Sequence, residues 1–116
     1  MSNLDGKMLD ELFTVIAGRK GGDPATSYTA KLLAEGVPAI AKKLGEEAIE
    51  TIIEALKADR EHLAAESADL LYHLLVLWAA TGVSPEQVWR ILDGRRAASG
   101  IAEKASRKEK EAGHAL

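Results

Sequence analysis

The sequence predicts an all-α fold, a four- to five-helix bundle, on three observations. Apolar residues recur every three or four positions in segment after segment, the spacing of one helix face. Glycine and proline punctuate the chain between those segments, where they act as stop and start signals. No run alternates apolar with polar residues, and no internal repeat is visible.

The elements follow in order. Leu4, Met8, Leu9, Leu12, Phe13 and Ile16 share one face of a first helix, which ends at Gly18 before Arg19-Lys20-Gly21-Gly22. Gly22-Asp23-Pro24 reads as a loop. Ser27 offers a hydroxyl to the free amides at the start of a short helix carrying Tyr28, Lys31, Leu32 and Leu33, which Gly36 stops. Pro38 suits the first turn of a third helix, expected to run to about Lys57, with Leu44, Ala48, Ile49, Ile52, Ile53 and Leu56 as its apolar side. A fourth helix is expected from Arg60 to Thr81, closed by Gly82. From Leu70 to Ala80 it is apolar nearly all round, so burial on most sides is expected. Ser84-Pro85-Glu86-Gln87 opens a fifth helix: a capping serine, a proline at the first position, and a glutamine that can reach back. That helix carries Val88, Trp89, Ile91 and Leu92 and is expected to fade near Gly94. Residues 1–98 read as the folded domain. Residues 99–116, rich in Ala, Lys and Glu, read as a polar tail, either a solvated helix or a segment ordered on substrate binding.

Composition removes several function classes. A chain of 116 residues with 47% hydrophobic and 28% charged residues fits one folded domain. A formal charge of −3 argues against binding nucleic acid polymers by bulk electrostatics. The absence of cysteine eliminates disulfides, thiolate zinc sites and cysteine nucleophiles, and it suits a cytoplasmic location. The longest apolar run, Leu70 to Ala80, is too short to span a bilayer and contains His73. Neither secretion nor membrane insertion is expected.

The charge pattern carries the chemistry. Glu47 and Glu50 lie three apart on the third helix, and Glu66 and Asp69 three apart on the fourth; each pair therefore shares a helix face. On the third helix alone, a solvated face nearly suffices as an explanation. Glu46, Glu47, Glu50, Glu54 and Lys43 fall within one arc opposite the centre of the apolar side, and Lys42–Glu46, Lys43–Glu47 and Glu54–Lys57 are ordinary exposed pairings. The fourth helix changes the balance. The stripe bearing Glu66 and Asp69 continues through His73, Leu77 and Ala80, and carboxylates entering a buried helix need a proton, a partner or a metal. The third helix offers more carboxylates rather than arginines, so a hard divalent cation with oxygen ligands is the better account. His73 reads as a core histidine bonded to a carboxylate rather than as a ligand, and Tyr72 and Trp78 as packing residues. Leu70 stands where a Glu-x-x-His pair ending at His73 would need its glutamate, which argues against a di-iron site.

Three segments, Ser27-Tyr28-Thr29-Ala30-Lys31-Leu32-Leu33, Lys42-Lys43-Leu44-Gly45-Glu46-Glu47-Ala48-Ile49-Glu50 and the stretch from Glu66 to Leu77, resemble the phosphoribosyl-ATP pyrophosphatase family. Ser99-Gly100-Ile101-Ala102-Glu103-Lys104-Ala105-Ser106-Arg107 is similar to that family's C-terminal signature. More broadly, Glu-x-x-Glu followed by Glu-x-x-Asp resembles the all-α nucleotide pyrophosphohydrolases of the MazG type. The resemblance implies a MazG-like bundle that forms a homodimer, dependence on Mg²⁺, and hydrolysis of phosphoribosyl-ATP to phosphoribosyl-AMP and pyrophosphate, the second step of histidine biosynthesis. Some relatives of that family carry a fused cyclohydrolase with cysteine-based zinc chemistry; a cysteine-free chain of this length has room only for the pyrophosphatase.

Placed on these residues, the expected mechanism gives Glu47, Glu50, Glu66 and Asp69 to the metal. Glu46, or a member of Glu47 and Glu50 not fully engaged by metal, would take the proton from water. Lys42 and Lys43, one turn ahead of the acidic run, and Lys104 and Arg107, three apart in the tail, are the expected phosphate contacts. Ser27 is a further substrate-contact candidate, although capping alone explains a serine there. Two rivals stay open at this point: a housekeeping hydrolase of other nucleoside triphosphates, and a non-enzymatic helical interaction module. The surplus of apolar helix surface gives the dimer an independent physical motive.

Overall fold

In the computed structural model, residues 4–97 are described, and all of their regular structure is helical. The helices are α1 (Lys7–Gly18), α2 (Tyr28–Glu35), α3 (Val37–Leu56), α4 (Arg60–Thr81) and α5 (Pro85–Ala97). The chain divides into two compact units, Met1–Pro85 with α1 to α4, and Glu86–Leu116 with nearly all of α5. The expected division between residues 98 and 99 lies outside the described residues.

Local chemistry sets the boundaries. Ser27 caps α2, its hydroxyl accepting from the Ala30 amide at 3.1 Å. Asp59 caps α4 in the same way, accepting from the His62 amide at 3.1 Å. Gly36 joins α2 to α3 with φ +93° and ψ 173°, a conformation open essentially to glycine alone, and so lets α3 start one residue after α2 ends. The α3–α4 turn spans three residues, 57–59. Ala58 takes a left-handed φ of 58°, with Asp59 N–H donating to the Glu54 carbonyl and Ala58 N–H to the Ala55 carbonyl. Those two bonds make the paired helix-ending motif that usually employs glycine. With so short a link, α3 and α4 run antiparallel as a helical hairpin.

The core draws on all four helices of the first unit: Ile16 from α1, Leu32 from α2, Ile40 from α3, and Leu75 and Val76 from α4. Leu9, Leu12, Phe13, Leu33, Tyr72, Leu77 and Trp78 pack against it. This core lies toward the start of α3 and the end of α4, so the turn end of the hairpin has little apolar cover from α1 and α2.

One expectation changes here. The apolar side assigned to α3 packs only in its first half, where Leu44 and Ala48 are half-buried. Ile49, Ile52, Ile53 and Leu56 are 60, 58, 43 and 82% exposed. The face of α3 that turns inward carries Ile40, Leu44, Glu47, Ala48, Thr51 and Glu54 instead. α4 follows its expectation: from Leu70 to Ala80 only Leu71 is exposed, with His73, Leu75 and Val76 buried and the others half-buried. By length and composition alone α4 would pass for a membrane-crossing helix, but it packs as the central helix against α1, α2 and α3.

The second unit is described by α5 alone, which runs three residues past Gly94. Arg90 and Glu86 pair across one turn at 2.7 Å, and Arg96 pairs with Asp93.

Candidate metal centre

The carboxylates predicted from spacing converge between α3 and α4. Glu47, Glu66 and Asp69 each offer an oxygen, and these oxygens lie within 4.8 Å of one another. Glu50 stands close enough to the Glu66 carboxyl to perturb it. The Glu66 carboxyl is pushed up to about 7, first by hydrogen-bonding proximity to Glu50, then by burial, then by Glu47. Without a cation between them, such groups coexist only by keeping a proton.

A cation fits this arrangement by a structural test as well as by charge. One oxygen each of Glu47 and Glu66 (Oε2) is shut off from solvent with no hydrogen-bond partner. Unpaired buried carboxylate oxygens are costly, and no arginine or lysine among the described residues is paired with them; a hard divalent ion, which takes oxygen ligands, would satisfy both. Neighbouring hydroxyls do not fill the gap. Thr51 donates its hydroxyl to the Glu47 carbonyl at 2.7 Å and Ser67 to the Leu63 carbonyl at 2.7 Å, both back along their own helices.

The other predicted residues fall around this cluster. Glu46 is exposed on α3 and is not among the three carboxylates that meet. Lys42 and Lys43 are exposed one turn earlier, and neither forms an ion pair among the described residues; of the local pairings expected on α3, only Glu54–Lys57 forms, at 3.5 Å. Ser27 is half-buried and engaged as the α2 cap. Lys104 and Arg107 lie outside the described residues. A second convergence, Glu54, Asp59 and His62, sits at the hairpin turn. Asp59 there caps α4 and pairs with the exposed His62 ring at 2.5 Å, so helix capping accounts for it.

His73 is buried as expected, but its partner differs. Its Nδ1 lies 2.7 Å from the main-chain carbonyl of Asp69, not from a carboxylate, and its Nε2 lies 3.3 Å from the Tyr28 hydroxyl. Tyr72 is more than packing: its hydroxyl bonds that of Thr29 and its ring stacks with Tyr28, centroids 6.3 Å apart. Sequence spacing gave no pointer to Tyr28 and Thr29, because the link between α2 and α4 is between residues more than forty positions apart. The only available signal was two consecutive polar-capable side chains opening α2 opposite Tyr72-His73.

Fold and site together define a class: an all-α protein built on a carboxylate-bearing helical hairpin. Residues 9–96 match the family described as phosphoribosyl-ATP pyrophosphohydrolase. The chain is 58% identical to the phosphoribosyl-ATP pyrophosphatase of Paramagnetospirillum magneticum, over 91% of its own length and 97% of that protein. It is 57% identical to the protein of that name from Parvibaculum lavamentivorans, with 91% and 97% covered, and 54% identical to that from Azospirillum brasilense, with 90% and 95% covered. The chain belongs to the phosphoribosyl-ATP pyrophosphohydrolase family.

Proposed function

We propose that this protein hydrolyses phosphoribosyl-ATP to phosphoribosyl-AMP and pyrophosphate, the second step of histidine biosynthesis, in the cytoplasm and with Mg²⁺. The observation that carries the reading is the inward-facing acidic cluster, two of whose oxygens lack a partner, in a chain of this family. Glu47, Glu66 and Asp69 would hold the cation, with Glu50 beside them. Bound there, Mg²⁺ supplies neutralising charge to the phosphate oxygens.

The chain's own residues do the rest. A water oxygen bonds to the α-phosphorus as the bond from that phosphorus to the α–β bridging oxygen breaks, and pyrophosphate leaves in line with the attack. The water's proton passes to a carboxylate not taken up by the metal. Glu50 is our assignment for that group, because it borders Glu66 without belonging to the closest three; Glu46, one residue outside the cluster, is the second candidate. Lys42 and Lys43, exposed and in no ion pair among the described residues, are proposed to meet the triphosphate. Ser27, at the mouth of α2, and Lys104 and Arg107 are proposed as contacts to the rest of the substrate.

We further infer a homodimer. The stripe Ile49, Ile52, Ile53 and Leu56 runs along the outward side of the same helix whose inner side bears the carboxylates. A second copy covering this stripe would give the hairpin the apolar packing that α1 and α2 do not provide. Pyrophosphate release from phosphoribosyl-ATP, measured against a panel of ordinary nucleoside triphosphates with and without Mg²⁺, tests the activity. Strong preference for phosphoribosyl-ATP is expected; equal turnover of the panel would overturn the substrate assignment.

A further inference from the structure

We propose that Tyr28 and His73 are positioning residues for the cation site, Tyr28 from α2 holding the His73 ring and His73 gripping the turn of α4 that carries Asp69. The inference rests on the reading of Asp69 as a cation ligand.

Among the described residues His73 is the one polar side chain that is buried, at 5% exposure. Burial requires that both ring nitrogens be satisfied. A carbonyl has no hydrogen to give, so Nδ1–H must donate to the Asp69 carbonyl at 2.7 Å. In the neutral ring this leaves a lone pair on Nε2, which accepts the Tyr28 hydroxyl hydrogen at 3.3 Å. The Asp69 carbonyl is also the regular helical acceptor for the residue four ahead, which is His73 itself. The peptide following Asp69 is thus held by the backbone and by the ring together.

Two aromatic rings flank the imidazole. Tyr72 and Tyr28 meet it edge-on, with centroids 5.1 and 6.2 Å away and interplanar angles of 89° and 81°. Tyr28 is itself half exposed, so it contributes little as a buried side chain, yet its hydroxyl points inward at His73. An exposed tyrosine whose polar end engages a buried imidazole is suited to orientation rather than to packing. Asp69 must keep its carboxylate near those of Glu47 and Glu66, and support of this indirect kind fixes ligand direction in metal sites. The cation site is therefore complete only with α2 docked on α4.

The test uses the full chain without substrate and Mn²⁺ as probe, its free fraction read by electron paramagnetic resonance. Tyr28→Phe should weaken Mn²⁺ binding about tenfold, the lower end of the usual effect of such support, while helical content and melting temperature stay close to those of the parent. Tyr72→Phe, which removes the other hydroxyl link between α2 and α4, should leave Mn²⁺ affinity unchanged. His73→Asn keeps a donor near the Asp69 carbonyl but cannot reach Tyr28, and should match Tyr28→Phe; it decides the matter if Tyr28→Phe fails to fold. Nitrogen-15 spectra of the unsubstituted protein should show His73 protonated at Nδ1. Parent-like Mn²⁺ affinity in Tyr28→Phe, equal weakening by Tyr72→Phe, or a proton on Nε2 would each overturn the proposal. Absence of Mn²⁺ binding in the unsubstituted chain would remove the cation reading as well, a result visible before any substitution is made.

Discussion

Replacing Ile52 with aspartate tests the most unusual feature of this fold, a helix with acids inside and isoleucines outside. Ile52 lies 58% exposed in the middle of the α3 stripe, so the change costs the single chain a helix propensity difference of a few tenths of a kcal/mol and about 1 kcal/mol for the part already covered. Fully burying an isoleucine contributes about 1.5–3 kcal/mol, and covering the exposed part of this one about 1–2 kcal/mol. A two-fold interface uses the residue twice, which gives about 2–4 kcal/mol, or roughly 30- to 1,000-fold in the dimer dissociation constant. Desolvating the new carboxylate adds to that loss. Sedimentation equilibrium across a concentration series measures the constant directly, with circular dichroism to follow helix content. Parent-like association of Ile52→Asp, or a parent protein that stays monomeric throughout, would refute the argument that this stripe is covered by a second copy.

Three further outcomes are expected. Glu50→Gln and Asp69→Asn should each lower pyrophosphate release by at least about 100-fold with little change in the circular dichroism spectrum, because each removes charge at nearly constant shape; full activity in Mg²⁺ buffer would count against the assignment. Mg²⁺ at 100 times its dissociation constant should stabilise the fold by about 2.7 kcal/mol and raise the melting temperature by roughly 10 °C or more, with EDTA reversing the shift in a calorimetric scan. The His62–Asp59 pair should show opposite linkages. His62 is raised, chiefly by its hydrogen bond to Asp59, so its support is full below the ordinary histidine value and is lost as pH climbs through the raised one. Asp59 is lowered, chiefly by the same bond, so its support is present above the ordinary value of 3.8 and is lost as pH falls through the lowered one. An NMR titration in which Asp59→Asn fails to bring His62 down would contradict this account.

The helices themselves were legible because their signals are local. A capping serine, a glycine able to adopt positive φ, and a proline near the start of α3 act within a few residues, and the expected fourth helix coincides with α4. The carboxylate pairs were legible for the same reason, since three-residue spacing fixes a shared face whatever the helix packs against. The start of α5 was equally clear, but its end was not: Gly94 lowers helix propensity without providing a stop, and α5 continues to Ala97.

What the sequence determined by itself, then, is the set of helices, their polar and apolar stripes, and the family to which the motifs point. Only tertiary structure decided which stripe of α3 faces α4. A helical wheel gives two stripes and no sign of which one meets a neighbour, and the choice depends on how the other helices share a limited apolar surface. The partner of His73 was settled in the same way, by a tyrosine contributed from a distant helix. Position along the chain encodes direction around one helix; contact between helices is a property of the whole packed assembly, and it is there that Glu47, Glu66 and Asp69 come within reach of one another, with Glu50 beside Glu66.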